Sequence, residues 1–531
     1  MHNIAASERE RAPETKPKAI CESFVAIGEP QLAGVLILAD GKTYGRCPTS
    51  RRAMFRVIPA DRSIPDVLVP FAPPTAFAKI LSNKYVIVKI KTADGKHPIG
   101  VVERSIGDVS ILENLYEFRL CAASLHRANK TLATRVRNKI PTVAAESEIE
   151  SQIVPGSSFG KEDRRLARAI SIDPPGSKDF DDAIGVCARP TGDTRVSIYI
   201  ANVAAWFDTL GLWDAIDARV CSIYLPDARR AMLPPALERL CSLRAGVPRA
   251  ALTLDVDVDS TGIIIGHTLT TAVVCVAENY AYDDPRLAGD SDYAALRDIT
   301  DIICSTRAIA SPTSSRDIVA FWMVQMNQYC ATRLAERKEG IFRVCASTNC
   351  STSGAAESGE RNAMPTAACR WINLRGSYVA YPELSGKCDV YAHITSPIRR
   401  LVDVLNQAAI CSISGATECI SAWALRLAEV SESARMAKKI QRECDMVRLC
   451  YARPDILEKP HRGTLFGASL EETRSGGYIR YMVHLDDLNI TCSIRVPSER
   501  RAPDGTSGTF WLFLFESEHN VYSKVRAQWM Y

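Results

Sequence analysis

Hydrophobic positions follow three different patterns along the chain. In the first region, short apolar runs are separated by Gly and Pro, and KYVIVKIKT sets the apolar positions Val86, Val88 and Ile90 against Lys89 and Lys91. Alternation with a period of two predicts strands with one buried face, and frequent turn residues keep those strands short. The pattern therefore predicts a small β-barrel over residues 21–125, for which an OB-type barrel is one candidate, after a disordered lead-in over residues 1–20.

One hairpin is predicted inside this barrel. The apolar run AGVLIL is followed by the dipeptide Asp40-Gly41 and by a second short run that ends at Cys47. Asp-Gly between two apolar runs is a strong signal for a two-stranded hairpin. We therefore expect the chain to reverse at this dipeptide and to pair the two runs.

The rest of the chain divides into a mixed block and a second strand-rich region. Residues 126–159 are polar and predict a partly helical linker, whereas residues 160–455 combine strand-like runs such as RVSIYIANV with long helical periods. Short strand-like runs return over residues 456–531 and predict a second small barrel. The fold class is therefore predicted as α+β, with a large central domain flanked by two small OB-type β-barrels.

Two local features of the central block complete this picture. The segment over residues 346–365 is rich in Ser, Gly, Ala and Thr, which predicts a mobile surface loop. The last helix of the block is predicted to bury one face, made of Ile440, Cys444, Val447 and Tyr451.

Composition excludes several classes of protein. The chain has 531 residues, 47% of them hydrophobic, and no apolar run reaches the ~20 residues that span a bilayer, so we expect no membrane segment. The N-terminus lacks an apolar signal core, which predicts an intracellular protein, cytoplasmic in the first place, with a nuclear or organellar location left open. The 18 cysteines form no CxxC pair and are expected as reduced thiols, with a disulfide framework as the alternative.

The most informative segment is ARAISIDPPGSKDFDDAIGV. A short apolar strand ends at Asp173, a Pro-Pro-Gly loop follows, and Asp179, Asp181 and Asp182 lie within four residues of one another. Oxygen ligands of this kind suit Mg²⁺, and a pair of such ions can activate water at a phosphate. An acidic turn that points into solvent is the alternative, and the spacing lacks the Gly and terminal Glu of a calcium loop.

A second segment, VYAHITSPIRRLVDVL, contributes positive charge. Pro397 favours the first turn of a helix, with Ser396 as its N-cap, and Arg399 and Arg400 follow at once. An arginine next to a metal cluster can bind a phosphate through two hydrogen bonds and stabilise charge in the transition state. The alternative is an arginine pair on a solvated helix face.

Together these segments resemble the RNB family, which includes ribonuclease II, ribonuclease R and the exosome exonuclease of the Dis type. SIDPPGSKDFDDAIGV is similar to the signature of the family, YAHITSPIRRLVDVL to its TSPIRR segment, and SIYLPDARRAMLPPALERLCSLRAG to the segment between them. The order and the separations agree over about residues 165–455. The resemblance implies an RNB catalytic domain over residues 160–455, preceded by a cold-shock-type OB barrel at residues 21–125 and followed by a ribosomal-S1-type OB barrel at residues 456–531.

The same resemblance implies an activity, namely metal-dependent 3′→5′ hydrolysis of single-stranded RNA to nucleoside 5′-monophosphates. Mg²⁺ is the expected cofactor, with Mn²⁺ as an alternative, and a protein partner in an RNA-decay complex is a further expectation. The implied metal ligands are Asp173, Asp179, Asp181 and Asp182. The implied catalytic residues are Asp181, Asp179 and Arg399. The implied RNA-binding residues are Tyr224, Tyr282 and Arg400, and core packing is the alternative for both tyrosines.

The sequence also departs from the family pattern at positions near this site. Relatives carry other residues where this chain has Tyr199, Asn202, Ala320, Phe321, Leu401 and Gln407, although Asn327 is kept. None of these departures removes an implied metal ligand, but they affect the expected contacts with the 3′ end of RNA. An RNA-binding scaffold with little or no catalysis is therefore the rival hypothesis, and a catalytic subunit that needs a partner is a third.

Overall fold

The computed structural model describes most of the chain. The described residues are 31–61, 63–72, 81–92, 97–344, 376–384, 390–473, 476–515 and 524–530. The predicted lead-in at 1–20 and the predicted loop at 346–365 lie outside them. None of the described helices is both long and apolar enough to cross a bilayer.

The first domain is a closed five-stranded barrel. Its strands are β1 (Gln31–Leu36), β2 (Met54–Pro59), β3 (Val67–Pro70), β4 (Lys84–Thr92) and β5 (Ile99–Asp108). The barrel closes because β1 pairs with both β2 and β4, in the order β1-β2-β3-β5-β4. Leu36, Val57 and Val86 fill its interior. Helix α1 (Leu112–Ala122) covers the outer face of β4, where Phe118 stacks on Tyr85 at 4.4 Å between ring centroids.

The predicted hairpin is wrong in its second strand. The run that ends at Cys47 forms no strand, and β1 pairs instead with β2 beyond a long loop. Five of the six residues of β2 are buried, whereas the stretch from Lys42 to Arg46 is exposed apart from Tyr44. Burial of apolar area therefore outweighs the local turn signal at Asp40-Gly41.

The segment predicted as a linker contains two helices, α2 (Lys130–Lys139) and α3 (Val143–Glu150). Leu132 and Val136 of α2 belong to the same hydrophobic core as the central domain. Asn129, which is buried, donates to the carbonyl oxygen of Arg219 over 2.9 Å. This segment is therefore packed against the central domain along its length.

The central domain is built on a mixed seven-stranded sheet in the order β14-β7-β8-β9-β12-β13-β6. These strands are β6 (Glu162–Arg164), β7 (Ile170–Asp173), β8 (Asp182–Ala188), β9 (Thr194–Ala201), β12 (Pro248–Val258), β13 (Ile264–Cys275) and β14 (Glu278–Ala281). Two short hairpins lie outside it, β10 (Ile223–Tyr224) with β11 (Arg229–Arg230), and β15 (Ile341–Val344) with β16 (Ser377–Ala380).

Helices cover both faces of this sheet. They are α4 (Val203–Thr209), α5 (Pro235–Cys241), α6 (Ser291–Thr306), α7 (Ser315–Glu336), α8 (Leu401–Ile410), α9 (Thr417–Ala424) and α10 (Leu427–Ala452). Alternate residues of β9 enter different cores, Tyr199 with α4, α5 and α8, and Ile198 with α6 and α7. Because successive side chains of a strand point to opposite faces, the sheet separates two cores.

The last domain is a five-stranded sheet in the order β19-β18-β17-β20-β21 that curls until its two edge strands touch. Its strands are β17 (His461–Thr473), β18 (Gly476–Leu485), β19 (Ile490–Pro497), β20 (Ser507–Leu514) and β21 (Val525–Met530). The predicted α+β class, with small OB-type barrels on both sides of the central domain, is confirmed.

Helix α10 connects the three domains. Its Val447 packs with the first barrel, and Met446 and Cys450 pack with the last one. The prediction for its buried face is correct for Ile440, Cys444 and Val447 and wrong for Tyr451, which is 44% exposed. Cys450 is buried instead, because the last barrel covers that side of the helix end.

Candidate active site

Two neighbouring strands bring the first carboxylates together. Asp173 ends β7 and is buried, and Asp182 begins the antiparallel strand β8 and is partly buried. The loop between them turns at Gly176, whose φ of +79° is the left-handed conformation that favours glycine. The chain thus returns to the edge that it left, and the carboxylates of Asp173 and Asp182 face a common region.

Asp181 is held by a segment far away in sequence. Its backbone oxygen accepts from Ala201 N over 2.8 Å, which fixes the residue at the start of β8. Its carboxylate accepts from Ile398 N over 2.9 Å and from Arg399 Nε over 3.2 Å. The structure therefore brings the acidic segment and the arginine segment into direct contact, as a common site requires.

The arginine segment forms a turn rather than the predicted helix start. Helix α8 begins at Leu401, so the prediction of a helix that starts at Pro397 with Ser396 as N-cap is wrong. Ser396 N donates instead to Asp403 Oδ1 over 2.8 Å, and Ser396 Oγ accepts from Arg399 Nη2 over 2.8 Å. The segment forms a turn because its backbone N–H groups donate to the buried carboxylates of Asp181 and Asp403. In a helix these N–H groups would point in other directions.

The two arginines of this segment have different partners. The side chain of Arg399 is 45% exposed and contacts Asp181, whereas Arg400 Nη2 donates to Asp403 Oδ1 over 2.9 Å. Asp403 is fully buried. Sequence reasoning missed Asp403, although an acid three residues after an arginine at the start of a helix is a pattern that favours such a pair.

Tyr224 reaches the site through a short pairing with the same turn. Ser222 N donates to Arg399 O over 3.0 Å, and Leu401 N donates to Val220 O over 2.9 Å. The hydroxyl of Tyr224 then donates to Asp179 Oδ2 over 3.0 Å, and its side chain stays 38% exposed. The ring is therefore fixed at its hydroxyl end, and part of its surface is accessible to solvent.

Arg229 is a site residue that sequence reasoning missed. It is the cross-strand partner of Tyr224 in the β10–β11 hairpin, and its Nη1 lies 2.8 Å from Asp179 Oδ2. Its Nη2 pairs with Glu238 of α5. The available signal was the Pro-Asp-Ala turn between the two short runs, which predicts that Tyr224 and Arg229 face each other.

Tyr282 lies at the other side of the carboxylates. Its backbone N donates to Asp173 O over 2.7 Å, and its ring is partly buried. Burial, together with the nearby charges of Asp182 and Asp173, raises the pKa of its hydroxyl to about 12. Both predicted tyrosines are thus placed next to the acidic cluster, Tyr224 on β10 and Tyr282 in the turn that follows β14.

Three of the four carboxyl groups have a pKa well above the ordinary value for aspartate. Burial raises the pKa of Asp173 to about 7 and that of Asp181 to about 7, and it raises the pKa of Asp182 to about 8. Repulsion adds to burial, chiefly from Asp181 on Asp173 and from Asp173 on Asp182, while Arg399 opposes the rise at all three. The cluster therefore carries more negative charge than its arginine neutralises.

The carboxylates are suitable ligands for a divalent cation, but they are not grouped closely enough to surround one. Among the residues that the structure describes, no three acids, histidines or cysteines are grouped closely enough to hold an ion. Asp181 and Asp179 are held by their arginines. Asp173 and Asp182 have no ion pair in the described part of the chain, and the buried Asp173 Oδ2 has no hydrogen-bond partner. Mg²⁺ prefers oxygen ligands, and the two carboxylates of Asp173 and Asp182 provide them.

The departures from the family pattern are mostly built into the fold. The Asn202 side chain accepts from Ala205 N over 3.2 Å and caps α4, and Gln407 Nε2 donates to Ala201 O over 2.9 Å. Tyr199 and Leu401 are buried in the core. These four positions therefore support the sheet edge that carries the site instead of lining it.

The other two departures from the family pattern, Ala320 and Phe321, lie on α7. Ala320 is exposed, and Phe321 is partly buried with its ring edge-on to Trp322 at 5.4 Å between centroids. Asn327, the residue kept, donates from Nδ2 to Tyr391 OH over 3.0 Å and accepts from Ile394 N over 2.9 Å. It thereby holds the strand-like segment that leads to Arg399.

Comparisons with known proteins agree with this arrangement. A family model for the RNB domain matches residues 161–292. The chain is 28% identical over 265 residues to the exosome complex exonuclease RRP44 of Mus musculus, and the alignment covers 49% of this chain and 26% of that protein. The aligned region is thus about a quarter of the length of that relative. The predicted resemblance to the RNB family is confirmed.

Solved structures show the same fold over nearly the whole chain. The apo form of Mycoplasma genitalium RNase R matches with a TM-score of 0.64 and 15% identity, covering 94% of this chain and 89% of that one. The same enzyme in complex with ribose methylated single-stranded RNA and with double-stranded RNA matches equally, both with a TM-score of 0.63. Yeast Ssd1, a pseudonuclease, matches with a TM-score of 0.61 and 14% identity, covering 88% of this chain and 65% of that one.

Proposed function

Because the chain carries an RNB domain, the domain of a family of exoribonucleases, we propose that it is a metal-dependent 3′→5′ exoribonuclease of single-stranded RNA that releases nucleoside 5′-monophosphates. The observation that carries the proposal is the contact between Arg399 and Asp181, beside the carboxylates of Asp173 and Asp182, which form no ion pair with any described residue. A buried acidic group next to a half-exposed arginine suits a phosphodiester, whose charge needs both a cation and a fixed hydrogen-bond donor.

Arg399 acts as the phosphate donor in this proposal. Its Nε is held by Asp181 and its Nη2 by Ser396, so the guanidinium is oriented before substrate arrives and its Nη1 remains for a phosphate oxygen. A preorganised, charge-assisted donor stabilises negative charge that develops on the scissile phosphate, since little reorganisation is needed.

Asp173 and Asp182 would hold Mg²⁺, or Mn²⁺, with Asp181 and Asp179 close by. When bound, such an ion polarises the phosphate and lowers the pKa of a water molecule that attacks it. The contribution of the chain itself is to hold these two carboxylates close together, Asp173 buried and Asp182 partly buried, where they repel each other and favour a cation.

Tyr224 and Tyr282 would contact the last nucleotides. Stacking on an aromatic face accepts any base, which suits a nuclease without sequence preference. The Tyr224 hydroxyl is bound to Asp179, so the ring is held at the edge of the acidic cluster. Arg400 would place a second positive charge behind Arg399. RNA as the ligand is supported by the complexes of Mycoplasma RNase R with single-stranded and double-stranded RNA.

The test uses RNA labelled at either end and incubated with Mg²⁺. We expect immediate release of labelled mononucleotide from the 3′ label and a descending ladder from the 5′ label. Asp181→Asn should lower the rate by about 10³-fold, on the order of 4 kcal/mol in the activation free energy. Asp298→Asn, at an exposed position paired with Arg297, is the matched control. Full activity of Asp181→Asn, or an inactive parent protein, would overturn the assignment.

A non-catalytic RNA-binding scaffold is the second candidate, favoured by two observations. Yeast Ssd1, a pseudonuclease, shares the fold, and the described carboxylates do not form a closed metal cluster here. Titration with Mn²⁺ separates the two functions. Binding that is lost in Asp173→Asn supports the nuclease, whereas RNA binding without metal binding or hydrolysis supports the scaffold.

A protein partner and an intracellular location remain predictions. The mouse relative is named as an exosome complex exonuclease, and the alignment covers 26% of its length. Co-purification of the tagged chain from cells, with and without ribonuclease treatment, tests for a partner that is not bridged by RNA.

A further inference from the structure

One edge of the central sheet is only half covered. Strand β13 pairs with β12 along its length, but on its other edge β6 pairs with Ala272, Val273 and Val274 alone. From Ile264 to Thr270 no described strand lies alongside that outer edge. The sheet therefore ends there in a stretch of backbone that can pair with a further strand.

The backbone groups of this open half point away from the sheet at alternate residues. Lys161 N donates to Thr271 O over 2.9 Å, which places the carbonyl group of Thr271 on the outer side of β13. Because backbone groups alternate in direction along a strand, the N–H and C=O groups of Leu269 and His267 also point outwards. Those of Thr268, between them, point to β12. No described residue hydrogen-bonds to the outward groups of Leu269 or His267.

The open half also lacks the side chains that usually keep a strand edge from pairing. Residues 260–277 contain no Asp, Glu, Lys, Arg or Pro. By contrast, the strand that covers the other half of the edge consists of Glu162, Asp163 and Arg164. The bulge that β13 shows against β12 lies at Ile265, near one end of the open half, and leaves the stretch after it regular. Since charged residues and proline are the common means of blocking an edge, pairing is not opposed here.

Exposed apolar side chains lie next to the same edge. Ile263 and Ile265 are 54% and 57% exposed. The turn that precedes them lies on α6, where Gly262 packs against Ile302, which is itself 39% exposed. A patch of exposed apolar groups beside free backbone groups is typical of a surface that another protein chain covers.

We infer that the open half of β13 is the contact surface of a homodimer, in which β13 pairs antiparallel with β13 of a second copy. A twofold axis near His267 presents the same free groups in reverse order, so that each outward N–H of one copy meets an outward C=O of the other. The edge is therefore complementary to itself. No side-chain charge of the strand faces a like charge across the axis, because residues 260–277 carry no acidic residue, lysine or arginine.

The contact lies away from the proposed active site. Asp173 on β7 and Asp182 on β8 are separated from β13 by β9 and β12 in the order of the sheet. The dimer would thus form one continuous sheet with the two sites on either side of the contact. Its formation is independent of nuclease activity, so either proposal can fail while the other stands.

The test measures the mass of RNA-free protein by sedimentation over a wide range of concentration. We expect the parent to change from monomer to dimer as its concentration rises. His267→Pro removes an outward N–H and leaves the bonds to β12 intact, since proline is tolerated on an edge strand. It should weaken dimerisation by about tenfold or more, because the bond is lost in both copies. His267→Ala keeps this N–H, removes only the ring, and should dimerise like the parent.

A second pair of variants tests the edge through charge. Ile265→Lys places two lysines near the twofold axis and should abolish the dimer. Leu470→Lys makes the same kind of change at a position of the last barrel that is 63% exposed, and it should leave the dimer unchanged. Dimerisation of Ile265→Lys and His267→Pro at the parent's concentration would overturn the inference, as would a parent that is monomeric throughout.

Hydrogen exchange then locates the contact within the strand. The amides of His267 and Leu269 should exchange more slowly in concentrated than in dilute protein, whereas that of Thr268, which faces β12, should be slow at both concentrations. A dimer in which His267 and Leu269 exchange at the same rate as in the monomer uses another surface, and that result would also overturn the inference.

Discussion

Arg399 Nε lies 3.2 Å from Asp181 Oδ2, although the two residues are 218 positions apart in the chain. The same carboxylate accepts the backbone N–H of Ile398, so the turn that carries the arginine is held at two points by one buried acid. This contact orients the arginine and partly neutralises the acidic cluster. Both the proposed chemistry and the stability of the metal-free site depend on it.

Replacing Arg399 by lysine should separate the effect of the oriented guanidinium group from the effect of its positive charge. Lysine keeps the positive charge but lacks the planar fork that reaches Asp181 and Ser396 while binding a phosphate. We expect the rate of RNA hydrolysis to fall by about 10²-fold, roughly 2.7 kcal/mol, with the free energy of unfolding changed by less than ~1 kcal/mol because the side chain is half exposed. Arg426→Lys, at an exposed position over Trp423, is the control. Wild-type rates in Arg399→Lys would contradict the role given to its fork.

Two substitutions of Tyr224 test whether its ring stacks on a base of bound RNA. Tyr224→Phe removes only the hydrogen bond to Asp179, whereas Tyr224→Ala removes the exposed ring. If the ring stacks on a base, Tyr224→Phe should bind oligoadenylate within about twofold of the parent and Tyr224→Ala about tenfold more weakly, at ~1–3 kcal/mol per stacked base. Fluorescence anisotropy in EDTA gives both affinities. Equal weakening by the two variants would mean that the hydroxyl, and not the ring, matters.

Divalent metal binding should release protons. The pKa of Asp173 is about 7 and that of Asp182 about 8, so near pH 6.5 both are largely protonated without metal and must ionise to bind it. Because both pKa values are raised, these groups favour the folded protein at low pH, and this stabilisation is lost as pH rises through 7 to 8. Calorimetry of Mg²⁺ or Mn²⁺ binding in buffers of different ionisation enthalpy should detect about two protons released at pH 6.5 and almost none at pH 9. No release at either pH would refute the metal assignment of these two residues.

Because of the lowered pKa of His393, we expect the folded protein to lose stability in acid. Its pKa lies well below the usual value of about 6.5, because burial and the cations around it disfavour the charged ring. A lowered pKa stabilises the folded protein above pH ~6.5, and this stabilisation is lost as pH falls, by up to about 1.4 kcal/mol per pH unit. Urea unfolding between pH 7 and pH 5 should show a smaller decrease for His393→Gln than for the parent. Parallel pH profiles would contradict a neutral His393 in the folded state.

Local sequence signals were sufficient where one strand or one helix face decides the result. The alternation at Val86 and Val88 correctly placed a strand in the first barrel, and the helical period correctly identified Ile440 and Cys444 as buried. The turn signal at Asp40-Gly41 failed because pairing depends on the apolar area of a partner strand further along. The helix signal at Pro397 failed because distant carboxylates took the amides of that segment.

The amino-acid sequence by itself determined the domain order, the fold class and the resemblance to the RNB family, because these follow from local periodicity and from motifs of contiguous residues. Only the tertiary structure decided which groups meet. The pairs Asp181 with Arg399, Tyr224 with Asp179, and Arg400 with Asp403 depend on how strands and turns from separate segments pack. Charge balance and burial are properties of neighbours in space, which the order of residues does not specify when those neighbours lie hundreds of positions apart.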